Sequence, residues 1–396
     1  MTRKCTASAT ALLHDIRHHL TPMRQALFFI FAALTVIALA GCRGKAAQLA
    51  GVSYQHLTDP APWSIHVVSF DLAQRNLALL ATVGKSVQGS ETVPEMVAEL
   101  SHQWGEPIAA VNGDYFEYLT EPRFRGTLQG LCIVNGELLS GPACTTFWID
   151  AKKQPHLDKA QANFTLTWPD GKNVPFGMNC STTDYKSEVR AADVVLYTPA
   201  FGSSTQTEGV DEYLLEPVDA HRWLPLRAGV RVQARVKTKT TSGNTAISAG
   251  AMVLSIARAA KERVPPLQPG DTIAITASLT PDLSSATAAV SGDPLLMAKG
   301  QVVPGLDAAN RAPRTAVGFA GTRCWLVVVD GRQPHLSIGM SHRELAELMQ
   351  RLGCTDAVNL DGGGSSTFWY QGQVMNSPSD KRLRPVGNAL VLSHRP

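Results

Sequence analysis

The chain has no long basic block and no RNA-binding signature, and its formal net charge is only +3 over 396 residues. So weak a field gives little grip on a phosphate backbone, which sets nucleic acid aside as a partner. No two cysteines stand in C-x-x-C spacing, which argues against a zinc site. No G-x-S-x-G elbow is present, so that form of serine hydrolase is excluded. No apolar run reaches the roughly 20 residues a membrane-crossing helix needs; residues 26–40, the most apolar stretch, number 15. There is no internal repeat and no low-complexity segment. What is there is ordinary globular material, 44% hydrophobic and 17% charged. That suffices for a real core in one large domain or two smaller ones.

The short apolar run reads as a targeting segment. Met23-Arg24-Gln25 leads into it and Gly41-Cys42 closes it, the basic, apolar and small order of a secretory signal. Leu39-Ala40-Gly41-Cys42 also resembles a bacterial lipobox, which implies acylation of Cys42 and a membrane contact through a lipid anchor. Residues 1–42 are therefore taken as the signal, with 23–42 its working part and Met23 the more usual start. Residues 43–62 read as a polar tether closed by Pro60 and Pro62. Arg43 follows the cysteine; an Asp there would suggest inner-membrane retention, so the resemblance favours the periplasmic face of the outer membrane. In that oxidising compartment Cys132, Cys144, Cys180, Cys324 and Cys354 remain to be sorted. Cys324 opens one expected strand and Cys354 precedes another. If those strands are parallel neighbours, either a disulfide or two buried thiols is open.

Residues 63–396 read as one α+β unit: a mixed, sheet-rich domain with a few packed helices and a C-terminal βαβ unit. Strands are expected at 64–71, 77–83 and 107–111, and a hairpin at 131–139 turns on Asn135-Gly136. The middle, about 180–300, is mostly β. Thr92-x-x-Glu95 and Ser341-x-x-Glu344 are capping boxes that open helices. In the second helix Leu345, Leu348, Met349 and Leu352 share one face, and His342, in its first turn, is expected to be solvent-exposed. Residues 324–330 are a continuous apolar strand and 356–361 another. Strand, helix, strand predicts parallel neighbours with a right-handed crossover, which would bring Asp330 and Asp361 together at the carboxyl end of the sheet, where open sheets bind ligands.

The densest chemistry lies in Asn359-Leu360-Asp361-Gly362-Gly363-Gly364-Ser365-Ser366-Thr367. Glycines let a backbone or ligand approach closely, and the Asp and hydroxyls supply charge and hydrogen bonds. The run lacks the Lys of a phosphate-binding P-loop and is followed by a strand, not a helix. Three other segments also flank strands: Asn112-Gly113-Asp114, Arg311-Ala312-Pro313-Arg314-Thr315 and Asp330-Gly331-Arg332. Carboxylates serve as base, nucleophile or metal ligand, and guanidiniums hold phosphate by paired hydrogen bonds. Together they suit a phosphorylated, hydroxyl-rich substrate.

These motifs resemble the phosphodiester glycosidase family, whose animal member is the uncovering enzyme. The resemblance rests on Asn112-Gly113-Asp114-Tyr115-Phe116, Leu196-Tyr197-Thr198-Pro199, residues 311–318, Val329-Asp330-Gly331-Arg332-Gln333, residues 337–341, the glycine run and residues 384–389. It is densest over 294–396. One departure is Ser291-Gly292-Asp293-Pro294, where bacterial members usually read Gly-Gly-Pro; the extra acid bears on the pocket. The resemblance implies hydrolysis of a sugar-1-phosphodiester, with a glycosyl phosphodiester or polysaccharide of the cell envelope as substrate. Asp361, Asp114 and Asp330 are the candidate catalytic groups. Asn112, Arg311, Arg314, Thr315, Arg332, Asn359, Gly362, Gly363, Gly364, Ser365, Ser366 and Arg384 are the candidate substrate and phosphate contacts. A divalent cation, calcium or magnesium, on Asp330 or Asp361 stays open. So do two other readings, a metal-dependent phosphodiesterase and a non-catalytic glycan-binding lipoprotein.

Overall fold

Runs of β-branched and aromatic residues, punctuated by glycine and proline, favour strands over most of this chain, and strands are what form. The computed structural model describes residues 50–395 apart from positions 60, 101, 120, 142, 188 and 189. The signal at 1–42, Met23 and the lipobox Cys42 lie outside the described residues.

A seven-stranded sheet runs in the order Val52–Asp59, Trp63–Asp71, Arg323–Val329, Arg314–Ala320, Asp356–Asn359, Leu295–Ala298, Gln301–Val302. A five-stranded sheet runs Gln373–Val374, Phe368–Tyr370, Glu106–Asn112, Asn388–His394, Leu77–Val83. Every neighbouring pair in both is antiparallel. An eight-stranded sheet carries most of the middle of the chain, and its inner face builds a large core around Leu166, Leu196, Tyr213, Met252 and Ile275.

The α+β expectation is corrected: the fold is mostly β, with two α-helices among the described residues, Val93–Ala98 and His342–Arg351. Both open on the expected capping boxes. Helix His342–Arg351 buries Leu345, Ala346, Leu348 and Met349 on the seven-stranded sheet. The βαβ expectation fails in one respect. Strands Arg323–Val329 and Asp356–Asn359 do run the same way, but Arg314–Ala320 lies between them and pairs antiparallel with both. A strand–helix–strand pattern cannot reveal that an upstream strand occupies the middle place.

That insertion also removes the geometry for a disulfide. Cys324 stands opposite Phe319, and Phe319 opposite Asp356. Two strand spacings, about 9–10 Å, exceed the roughly 7 Å limit between bridged Cα atoms, and Cys324 and Cys354 are both free, buried thiols. The tether is shorter than expected as well. Val52–Asp59 forms an edge strand in full register with Trp63–Asp71, and its Tyr54 phenol contacts His66 Nδ1 at 2.9 Å. The Asn135-Gly136 hairpin forms as expected, with φ of 51° and 76° at the two turn positions.

Candidate active site

The two sheets meet where their strands end, and a polar seam joins them. Asn112, at the end of its strand and fully buried, donates from Nδ2 to the Asp361 carbonyl at 2.7 Å. Its Oδ1 accepts from the Thr315 hydroxyl at 2.8 Å and from the Thr367 N–H at 3.1 Å. The Asp361 N–H donates to the Gly113 carbonyl at 2.9 Å. Ser366 joins through the Thr315 hydroxyl at 3.3 Å. Asn112, Thr315 and Ser366 are thus spent on the junction; they hold Asp361 in place and are not free to bind substrate.

This seam carries a pair of carboxyls, one from each sheet. Asp114 is 1% exposed. Its backbone N–H donates to Asn388 Oδ1 at 2.6 Å, and its Oδ2 accepts the Gly130 N–H at 3.0 Å. Oδ1 is buried without a partner. Burial holds the Asp114 carboxyl well above the usual range, outweighing the N–H donors, and the nearby Asp361 charge adds to the rise. Burial likewise pushes Asp361 up to about 6, against the pull of the Ser365 hydroxyl, the Gly362 N–H and the Arg384 guanidinium. Two interacting acids with shifted protonation, placed at strand ends, are the features expected of a chemical centre.

The glycine run supports Asp361 and does not form an open phosphate loop. The Gly362 N–H donates to Asp361 Oδ1 at 2.8 Å, and the Gly363 N–H to the Pro313 carbonyl at 2.9 Å. Those two amides are therefore unavailable to a phosphate. Gly363 has φ +61°, and a Cβ there would sit 3.2 Å from the Arg332 guanidinium. The glycine thus lets Arg332 lie against the turn. At Gly364 a Cβ would overlap both Arg384 and Asp380.

The arginines differ in what already holds them. Arg314 is half-buried and donates to the Met340 and Asn310 carbonyls at 2.9 and 2.8 Å, and it meets His342 Nε2 at 2.7 Å. Burial lowers its pKa, and its charge is felt by the Tyr115 phenol. Arg384 is pinned by Asp380 at 2.7 Å and reaches Ser365 at 3.3 Å. Arg332 is exposed and, among the described residues, has no hydrogen bond or ion pair. Arg311 is not part of the centre: it grips Glu344, the capping residue of helix His342–Arg351.

Asp330 is a correction. It is not drawn to Asp361 but locked elsewhere: Oδ2 accepts the Ser64 hydroxyl at 2.9 Å, and Oδ1 accepts the Ser377 N–H at 2.8 Å and Asn376 Nδ2 at 3.3 Å. His66 Nε2 lies 3.6 Å from Oδ2. Both oxygens are satisfied, so Asp330 fastens strand ends together. With both oxygens so engaged, Asp330 has no free ligand atom to offer a cation, which leaves Asp361 as the carboxylate that could take one. Among the described residues no group of three or more His, Cys, Asp or Glu is gathered to hold one.

Two residues passed over as site groups, Tyr115 and His342, belong here beside the expected Asn359. Tyr115 donates its phenol to the Asp293 carbonyl at 2.9 Å and accepts from Asn359 Nδ2 at 2.9 Å. Burial and the Asp361 charge raise its pKa. Its place directly after Asp114 was the available signal. Asn359 spends its Nδ2 on Tyr115, on the Asp293 carbonyl at 2.7 Å and on the Leu360 carbonyl at 2.7 Å, while its buried Oδ1 has no partner. His342 is half-buried against Arg314, not exposed, and burial with that neighbouring charge lowers its pKa. Asp293 stands exposed beside this group.

The fold and this seam define a β-sheet protein with a paired-carboxyl centre rimmed by guanidinium groups. Residues 227–393 match the family model of the phosphodiester glycosidases. Asn112, Asp114 and Tyr115 precede the span. A prophage-derived uncharacterised protein of Bacillus subtilis, YomE, is 35% identical over 83 residues, which is 21% of this chain and 13% of that protein. Among solved structures, a hypothetical protein from Synechocystis aligns at TM-score 0.69 with 18% identity, over 87% of this chain and 62% of its own. A provisionally described exported protein from Burkholderia pseudomallei K96243 aligns at TM-score 0.65 with 23% identity, over 84% of this chain and 74% of its own. The chain thus spans only part of each of these relatives, and the two structural likenesses speak for the fold alone.

Proposed function

We propose that the chain hydrolyses a sugar-1-phosphodiester by breaking the glycosidic C–O bond and releasing the sugar from a phosphomonoester. The observation that carries this is the Asp114–Asp361 pair, two carboxyls pushed upward in protonation beside the uncommitted Arg332. Asp361, ionised above about pH 6, supplies the carboxylate that attacks the anomeric carbon or takes the proton of the attacking water. Burial and the nearby Asp361 charge hold the Asp114 carboxyl well above the usual range, and its Oδ1 has no other partner. Arg332 and the remaining N–H groups of Arg314 hold the phosphate. The phosphomonoester is a good leaving group, so little proton donation is required. No step runs through a metal ion.

The substrate is a glycosyl phosphodiester of the cell envelope or its polysaccharides, and the chain acts outside the cytoplasm on a lipid anchor at Cys42. The signal-like order of residues 23–42 supports this placement, as does the exported description of the Burkholderia neighbour. A panel of sugar-1-phosphodiesters, hydrolysed in oxygen-18 water, tests the reading. The expected label is in the sugar. Label in the phosphate instead would mean P–O cleavage, and glycan binding with no turnover of any diester would make the chain a binder.

A further inference from the structure

A cleft of about 480 Å³ opens beside the carboxyl pair, lined by Tyr115, Gln129, Cys144, Thr145, Lys159 and Asp293. Tyr115, one of its lining residues, feels the charge of Asp361. Arg332 and the glycine run are absent from the lining. The cleft is within the size range of small-ligand sites, roughly 300–1,000 Å³. Apart from Ala143 and the Cys144 thiol, its lining side chains are hydrogen-bonding groups. The Asp293 carboxylate and the Lys159 ammonium are both exposed, and neither has a hydrogen bond or ion pair among the described residues. The Asp293 backbone, by contrast, is firmly held, since its carbonyl accepts from both Tyr115 and Asn359. A fixed backbone that carries an unspent carboxylate, facing a cleft with an unspent ammonium, is a recognition surface and not a packing feature.

We propose that this cleft receives the glycosyl group, with Asp293 and Lys159 as its specificity-determining residues. Asp293 accepts hydrogen bonds from ring hydroxyls. Lys159 donates to a carbonyl or carboxylate substituent on the ring, so N-acylated sugars and uronates bind better than plain hexoses. The phosphate lies on the other side of Tyr115, toward Arg332. This deepens the sugar-phosphodiester reading above and rests on it for the direction in which the substrate lies. Closing the cleft to sugars leaves the carboxyl pair untouched, so the two ideas separate experimentally.

The test is ligand binding by saturation-transfer NMR to the wild type, to Asp293→Ala with Lys159→Met, and to Arg332→Ala. Glucose, N-acetylglucosamine, galacturonate and inorganic phosphate are the probes. The expected result is wild-type binding of N-acetylglucosamine and galacturonate above glucose. That binding falls at least tenfold in the Asp293/Lys159 variant and persists in Arg332→Ala, while phosphate shows the reverse pattern. Saccharide binding that is absent from the wild type, or unchanged in the Asp293/Lys159 variant, overturns the proposal. Far-ultraviolet circular dichroism on each variant shows that the fold is intact. If no diester is ever turned over but the saccharide pattern holds, the reaction reading fails and the cleft stands.

Discussion

Asp330 and Asp361 carry the same local signature, an Asp-Gly at the end of an apolar strand, and the fold puts them to opposite uses. Asp330 is ringed by donors, the Ser64 and Ser377 groups closest, with both oxygens satisfied. Asp361 has the Gly362 N–H close by, yet burial dominates and lifts its protonation to about 6. The difference teaches that a strand-end carboxylate becomes chemical through what the neighbouring sheet brings against it. Asp361 faces Asp114 from the five-stranded sheet, whereas Asp330 meets the hydroxyls and amides that tie its own sheet to the segment after Phe368–Tyr370.

The sharpest way to break that contrast is to neutralise each acid. Asp361→Asn should cut turnover of a sugar-1-phosphodiester by at least about 10³-fold, as the loss of a carboxylate acting on the reacting atom does, while the protein stays folded. Steady-state kinetics with circular dichroism checks this. Asp330→Ala should instead lower unfolding free energy by about 2–4 kcal/mol, because several buried donors lose their acceptor. Urea titration reads it, and a loss no greater than that of an average surface substitution would remove Asp330 from its structural role.

The pH dependence is a subtler probe. Asp361 is raised from an unfolded value of about 3.9 to about 6, so the folded state holds the proton more tightly. Its contribution favours folding fully below about pH 4 and is lost as pH rises through about 6, up to about 2 kcal/mol after allowance for partial exposure. Asp361→Asn should therefore flatten the stability profile between these values and gain relative stability above them. The activity of the wild type should rise over the same interval as Asp361 ionises. The smallest effect is expected at Arg311→Ala, where loss of the solvent-screened pair with Glu344 should change stability little and leave turnover unchanged; a tenfold fall in kcat/KM would put Arg311 back in the centre.

Much of this centre was legible in the sequence because its residues cluster at strand ends. Asn112, Asp114, Asn359 and Asp361 could be named from that alone, as could the two capped helices and the Asn135-Gly136 hairpin. Pairing order was not legible. Nothing in residues 324–361 tells that Arg314–Ala320 takes the place between the two parallel strands, and that one omission misplaced Asp330 and left a Cys324–Cys354 bridge open beside the two buried thiols that are found. Residues 52–59 looked polar enough for a tether because an edge strand needs only a sparse apolar stripe. His342 looked exposed because helical position does not show Arg314 folded against it.

The central claim is that burial lifts the Asp361 carboxyl to about 6. Carboxyl carbon NMR on aspartate-labelled protein tests it most directly, by titration of the wild type, Asp361→Asn and Asp330→Asn. A resonance should titrate near pH 6 in the wild type, be lost in Asp361→Asn and persist in folded Asp330→Asn. A near-6 titration that survives in Asp361→Asn, or is absent from the wild type, would contradict it.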